Sequence, residues 1–321
     1  MGSKQLVPPP RLRAGSRIAL VAPAGPLSER DDLSRAAELC RALGYEPVPG
    51  THALDRHGYL AGTDAARLAD LNAALADPAI DAIWCLRGGY GVTRILDDVD
   101  VESFTRRPRP VIGYSDITAL LLALHRATGI ATFHGPMSRA PLTGFSRAHF
   151  ERVIATASPA GRLGRLPAPA GVLVPRSPRI VTLRGGVSEG PLAGGNLSLL
   201  LALAGTRHFP SLTGAIFFIE DVGEDLYRID RLLAQLRMMG ALEELAGVMV
   251  GQFTDMRRGA GDGGALAFDE VLDTYLGPIG VPVAAGFPIG HVDDQWTLPI
   301  GVRARLDASA GEVDLLESAV A

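Results

Sequence analysis

A short grammar repeated three times near the start constrains this 321-residue chain most: an apolar run, a loop, then a helical stretch. Arg17-Ile-Ala-Leu-Val-Ala-Pro23 reads as a buried strand, followed by a Gly25-Pro26 turn. Leu33, Ala36, Ala37, Cys40 and Leu43 then recur at helical spacing until Gly44. Ser28, three residues before Asp31, is placed to cap that helix. A helix over about 63–76, the strand Ala79-Ile-Asp-Ala-Ile-Trp-Cys-Leu86 and the loop Arg87-Gly-Gly-Tyr-Gly91 form the second unit. The third has a strand at 110–114 and a helix from Asp116 to Arg126. Such alternation predicts an α/β fold whose N-terminal sheet is mostly parallel and flanked by helices.

Beyond it, residues 155–178 are rich in Pro, Gly and Ala without helical period, and read as a linker between residues 1–154 and 179–321. The later segment has a different texture. Strands are expected at 180–184, 215–220 and 245–253, and helices at 196–204 and 229–239, giving a mixed α/β unit rich in strands.

Composition excludes several classes of function. Lys and Arg total 31 against 35 Asp and Glu, a net charge of −4 without any long block of one sign, so nucleic acid is not an expected partner. The first apolar run, Ile18–Ala22, is far too short to cross a membrane, and no secretory pattern precedes it. Cys40 and Cys85 both sit in apolar periodic segments and are expected to be buried thiols in a reducing compartment, with the cytoplasm as location. HExxH, Cys-cluster and DxDxDG patterns are absent, so no metal site is expected. Gly 38 and Pro 23 make up about a fifth of the chain, and they concentrate in the loops that follow strands.

Ligands of open α/β sheets bind at the carboxyl ends of strands, so the polar residues there are the candidates. Ser115 follows its strand with no intervening loop. Its hydroxyl fits either a nucleophile raised on a sharp strand-to-helix turn or a plain helix cap, since Gly113-Tyr-Ser-Asp-Ile117 matches only half of the Gly-x-Ser-x-Gly elbow. The adjacent Gly88 and Gly89 suit a close backbone approach to a ligand, or merely a tight turn. Glu220 ends the apolar run Ala215-Ile-Phe-Phe-Ile-Glu220, where a carboxylate either orients a histidine or faces solvent. His291 lies in the Gly/Pro-controlled loop Gly286-Phe-Pro-Ile-Gly-His291, and His134 is its rival among the seven histidines.

Taken in order, these strings resemble the LD-carboxypeptidase family, which includes muramoyltetrapeptide carboxypeptidases and microcin C self-immunity peptidases. The matching strings are Val21-Ala-Pro-Ala-Gly25, Leu86-Arg-Gly-Gly-Tyr-Gly91, Ile112-Gly-Tyr-Ser-Asp-Ile-Thr118, Phe133-His-Gly-Pro136, Leu192-Ala-Gly-Gly-Asn-Leu197, Phe218-Ile-Glu-Asp-Val-Gly-Glu224 and Gly286-Phe-Pro-Ile-Gly-His291. Each is weak alone, but seven in this order are specific. The resemblance implies a serine peptidase with Ser115 as nucleophile, His291 as general base and acid, and Glu220 orienting the histidine. It also implies an oxyanion hole from the backbone N–H groups of Gly89 and Asp116, no cofactor, and a homodimer. The reaction implied is hydrolysis of an amide between an L-centre and a terminal D-amino acid, with release of D-Ala from a murein tetrapeptide. Arg87, Gly88, Asn196, Arg228 and Arg231 are the candidate substrate-binding residues. Two rival readings share the fold: an immunity peptidase cleaving peptidyl or aminoacyl nucleotides, for which Trp296 is the candidate base-stacking aromatic, and a non-catalytic peptide-binding protein.

Overall fold

The computed structural model describes residues 5–166, 179–257 and 266–321. The first sheet grows from the repeated grammar. In chain order its half of the molecule runs β1 (Arg17–Val21), α1 (Asp31–Ala42), β2 (Glu46–Pro49), α2 (Asp64–Ala76), β3 (Ala82–Cys85), α3 (Val101–Arg106), β4 (Val111–Gly113), α4 (Ile117–Thr128), β5 (Thr132–His134) and α5 (Gly144–Ile154). Strands β1 to β5 are all parallel, as strand-helix-strand connections require. β1, β3, β4 and β5 are almost wholly buried, so they read as apolar runs rather than alternating ones. β2 had no clear signal, because it carries Pro47 and Pro49; it is tolerated at the sheet edge, where one side needs no ladder bonds. The start of α1 departs from expectation. Ser28 lies before the helix and does not cap it, and instead the Asp32 carboxylate accepts the N–H groups of Ser28 and Glu29, each at 3.1 Å.

The second half contributes β6 (Gly161–Arg162), β7 (Val181–Arg184), β8 (Val187–Asn196), α6 (Leu197–Ala202), β9 (Ile216–Val222), α7 (Leu226–Met238), β10 (Gly247–Thr254), α8 (Phe268–Leu276), β11 (Val283–Ala285), β12 (Leu298–Ile300), β13 (Arg303–Asp307) and β14 (Glu312–Leu315). Eight of these strands form one mixed sheet in the order β6-β14-β13-β8-β9-β10-β11-β7. Its centre, β8 to β11, is parallel, while β13, β14, β6 and β7 attach antiparallel. Part of the expected linker, Gly161–Arg162, is thus a strand paired with β14, and 167–178 lie outside the described residues.

The two sheets share one continuous apolar core. Helix α4 is buried at every position from Ile117 to Leu124, the pattern of a helix packed on all sides. It lies on β4 and β5 and also meets α6 and β8 of the second half. There Thr118 Oγ1 accepts the backbone N–H of Asn196 at 3.1 Å, a buried link between the halves. β12 crosses over outright: it leaves the second half and pairs antiparallel with β5, completing the six-stranded order β12-β5-β4-β3-β1-β2. As a result the loops after β4, β5 and β9 and the loop before β12 face one another.

Candidate functional site

Ser115 stands between the end of β4 and the start of α4 with φ of +59°, one of two described non-glycine residues with a left-handed backbone. A serine pays about 1–2 kcal/mol for this conformation, which the surrounding turn must supply. The Tyr114 and Ser115 carbonyls accept the N–H groups of Ile117 and Thr118, at 3.2 and 2.9 Å. The helix-cap reading of Ser115 does not hold: the N-cap position falls on Asp116. The Asp116 side chain leaves the first turn of α4 unbonded and accepts the Val92 N–H at 2.9 Å instead. It is buried, and burial pushes its carboxyl up to about 6, against the pull of the Val92 N–H and the Arg67 charge.

The loop after β3 presses against this turn. A Cβ on Gly88 would fall 2.8 Å from Ser115 Cβ and 2.9 Å from Oγ, so no side chain fits there. The Gly88 carbonyl accepts the Gly25 N–H at 2.9 Å, and planarity of the next peptide turns the Gly89 N–H to the opposite side. Neither Gly89 nor Asp116 spends its N–H on a backbone carbonyl among the described residues. Sequence patterns missed the residue that holds these loops: the buried guanidinium of Arg67 donates to the Pro23 carbonyl and, at 2.9 Å, to that of Gly91, and pairs with Asp64. Its partners are backbone atoms from two distant loops, which leave no motif.

Glu220 and His291 come together although 71 residues separate them: His291 Nδ1 lies 2.8 Å from Glu220 Oε2. The carboxylate is fully buried at the end of β9, and among the described residues its Oε1 has no hydrogen-bond partner. Burial pushes the Glu220 carboxyl above its usual range, while the bond and charge of His291 pull it back down. Gly290, at φ +109°, lets the loop pass this close, since a Cβ there would lie 2.7 Å from Glu220 Cβ. The loop is pinned from the other half by Ser146, whose Oγ donates to the Asp293 carbonyl and accepts the Gln295 N–H, both at 2.9 Å.

The Tyr114 ring stands edge-on to His291 with centroids 4.8 Å apart, which brings the residue before Ser115 against the histidine. The hydrogen bonds among the described residues include none between Ser115 Oγ and His291. His134, the rival histidine, is fully buried, edge-on to Tyr114 and Phe218, and is pushed down to about 3 by burial and the nearby His291 charge. It is an uncharged ring at all ordinary pH.

The substrate-binding candidates scatter more widely. Arg87 is half-buried beside Gly88, donating to the Pro26 carbonyl and, at 3.4 Å, to Ser28 Oγ. Asn196 is 2% exposed and caps α6: its side chain accepts from Leu199 N–H at 3.1 Å and donates to Asp221 at 2.9 Å. Arg228 and Arg231 flank the exposed Tyr227 on α7, with guanidinium carbons 6.0 and 5.3 Å from its ring. Trp296 is not a stacking surface. Only 1% of it is exposed, and its Nε1 donates to the Gly164 carbonyl at 2.8 Å.

A strained serine at a strand-to-helix turn, free backbone donors beside it and a buried acid paired with a histidine define a hydrolase-like α/β site. Comparison with known proteins gives the class a family. The LD-carboxypeptidase N-terminal domain matches residues 18–135, and the LD-carboxypeptidase C-terminal domain matches 189–306. The murein tetrapeptide carboxypeptidase of Pseudomonas aeruginosa is 35% identical over 303 residues, covering 91% of this chain and 94% of that one. A crystal structure of muramoyltetrapeptide carboxypeptidase from Oxalobacter formigenes superposes with a TM-score of 0.78 at 31% identity, over 94% of this chain and 98% of that one. The microcin C7 self-immunity protein MccF, in complex with aspartyl sulfamoyl adenosine, shares the fold with a TM-score of 0.88 at 24% identity, over 98% and 100% of the two chains. The chain belongs to the LD-carboxypeptidase family, and it is a peptidase.

Proposed function

We propose that this peptidase is of the serine type and hydrolyses the amide between an L-centre and a terminal D-amino acid, releasing D-Ala from murein tetrapeptides. The observation that carries the reading is the fully buried Glu220 carboxylate 2.8 Å from His291 Nδ1. With a proton on Nδ1 donated to Glu220, the other ring nitrogen is left as a base. His291 takes the proton of Ser115 Oγ as that oxygen attacks the scissile carbonyl, then returns it to the departing amine. Water, deprotonated by the same nitrogen, hydrolyses the acyl-enzyme. Glu220 holds the imidazole in the needed tautomer and stabilises its cation. The Gly89 and Asp116 N–H groups receive the oxyanion, each worth about 3–4 kcal/mol in the transition state. The site then lies between residues 1–154 and 179–321, with the nucleophile on one and the acid and base on the other. The buried Cys40 and Cys85 thiols are in keeping with a reducing cytoplasm, and the family resemblance extends to a homodimer.

Incubation with a disaccharide-tetrapeptide, read by mass, is expected to give loss of a single D-Ala. Ser115→Ala is expected to fold normally and lose at least about 10³-fold in turnover. Near-normal turnover by the purified variant would exclude the nucleophile assignment. Cleavage only of an aminoacyl nucleotide presented in parallel would move the substrate to the immunity branch.

A further inference from the structure

Among the described residues the His291 imidazole has one hydrogen-bond partner, Glu220 Oε2, at 2.8 Å from Nδ1. One bond fixes a point of the ring and leaves its plane free to turn, and the outer torsion of histidine has only broad wells to restrain it. Gly290 before it offers no side chain to pack, and 21% of the His291 side chain is exposed. The direction in which the far nitrogen points is therefore set by something other than the acid.

A run of aromatic rings supplies it. Tyr114 lies 4.8 Å from His291, centroid to centroid, at an interplanar angle of 60°. Its other ring neighbour is His134 at 5.9 Å and 64°, and His134 in turn meets Phe218 at 5.3 Å and 76°. All three separations fall in the range where tilted ring pairs attract. Phe218 and Glu220 are two apart on β9, whose pairing with β8 runs unbroken to Asn196 opposite Glu220, so both side chains leave the same face of the strand. The contacts thus close on themselves: Glu220, His291, Tyr114, His134, Phe218 and back along β9. His134, Phe218 and Glu220 are wholly buried, and His134 leaves both ring nitrogens without a partner among the described residues, so it is held there as a ring and not by a hydrogen bond.

We propose that Tyr114 is the positioning residue of the base: its ring is the wall that turns the His291 imidazole so that Nε2 faces Ser115. The inference rests on the serine-peptidase reading above. Tyr114 is peptide-bonded to Ser115, so wall and nucleophile are carried by one turn at the end of β4, whereas Glu220 is carried by β9 of the other half. Contact with Tyr114 references the imidazole to the nucleophile's own backbone. Glu220 alone would reference it only to β9. The difference matters because a misplacement of about 1 Å at reacting groups costs on the order of 100-fold in rate.

Tyr114→Leu keeps apolar bulk and removes the plane. It is expected to lower kcat on a disaccharide-tetrapeptide by about 10- to 100-fold with KM within about 3-fold of wild type, and Tyr114→Phe, which keeps the ring, to recover most of the loss. Equal losses in the two variants would assign the effect to the hydroxyl and overturn the wall. A readout independent of turnover comes from magnetic resonance of isotope-labelled histidine, with the His291 signals assigned by their loss in His291→Gln. Wild type and Tyr114→Phe should hold the neutral ring's proton on Nδ1, and Tyr114→Leu should populate the other tautomer as the bond to Glu220 loosens. A leucine variant with the wild-type tautomer, or with the wild-type kcat, would overturn the proposal. Phe218→Leu probes the same circuit from its far end, should the leucine variant at Tyr114 not fold: a fall in kcat of about 3- to 10-fold with the same mixing of tautomers is expected, and no change in either would overturn the circuit. A wild-type enzyme that releases no D-Ala while the tautomer still depends on the Tyr114 ring would overturn the reaction alone.

Discussion

Ser115 and Asp116 show how two neighbouring residues spend stability on one turn. Ser115 carries the strain of a left-handed backbone, and Asp116 holds a buried carboxylate whose Oδ1 has no hydrogen-bond partner among the described residues. The second cost has a pH signature. Burial raises the Asp116 carboxyl in the folded chain from the ordinary 3.8 to about 6. Below about pH 4 both folded and unfolded chains carry the proton, so nothing is lost. As pH rises through 6 the unfolded chain has already ionised and the folded one must follow, so stability falls, by roughly 3 kcal/mol in full. Asp116→Asn keeps an acceptor for the Val92 N–H and has no proton to lose. Denaturant unfolding at pH 4.5 and 7.5 is expected to show a drop in the wild type that is smaller by about 1–3 kcal/mol in the variant; the same drop in both would refute the argument. The bond it makes ties Val92, next to the Gly88–Gly91 loop, to the Ser115 turn.

Helix α4 works as a connector between the halves, and the hydrogen bond it makes across them can be tested. Thr118 is fully buried and accepts the Asn196 N–H at 3.1 Å, beside the Glu220 end of β9. Thr118→Val has the same shape but leaves that N–H unpaired, and is expected to cost about 1–3 kcal/mol in urea unfolding. Thr118→Ser should recover most of the loss, and a valine variant as stable as wild type would show that the bond carries nothing. What could be read in advance follows the same physics. β1, β3, β4 and β9 are apolar runs closed by loops, and α2, α4 and α7 have a regular period, so their local signal suffices. β2 and β12 carry prolines, β5 has a polar residue at each end, and β8 contains Pro191 and four glycines or prolines in all, so only their partners make them strands. Among site residues, Ser115, Glu220 and His291 stood in recognisable strings. Arg67 and Ser146 did not, since each acts through backbone groups of elements far away in sequence.

At the scale of the molecule, the β12 crossover ties the arrangement of Ser115, Glu220 and His291 to completion of the whole fold. β5 would be the bare edge of the first sheet without β12, and the side of α4 that meets α6 and β8 would be uncovered apolar surface. The far end of the chain also returns: Ala321 exchanges backbone hydrogen bonds with Pro9 and Arg11 at 2.8 and 2.9 Å. Residues 1–154 alone therefore lack a strand, a helix cover and a terminal clasp, although they hold all five parallel strands of their sheet. Produced separately, this segment is expected to show no cooperative thermal transition by circular dichroism and to bind a hydrophobic dye, while the full chain melts in one step. A sharp melt and dispersed amide resonances for residues 1–154 would show that the first half folds on its own. The link to the site is short: Tyr114 meets His291, and the histidine loop runs into β12, which is seated on β5. A chain able to fold its first half independently would hold Ser115 on a stable scaffold without His291 beside it. The crossover instead couples the Ser115–His291 arrangement to the pairing of β12 with β5, so destabilising β12, for example by Leu298→Asp against His134, is the change through which stability and turnover should fall together.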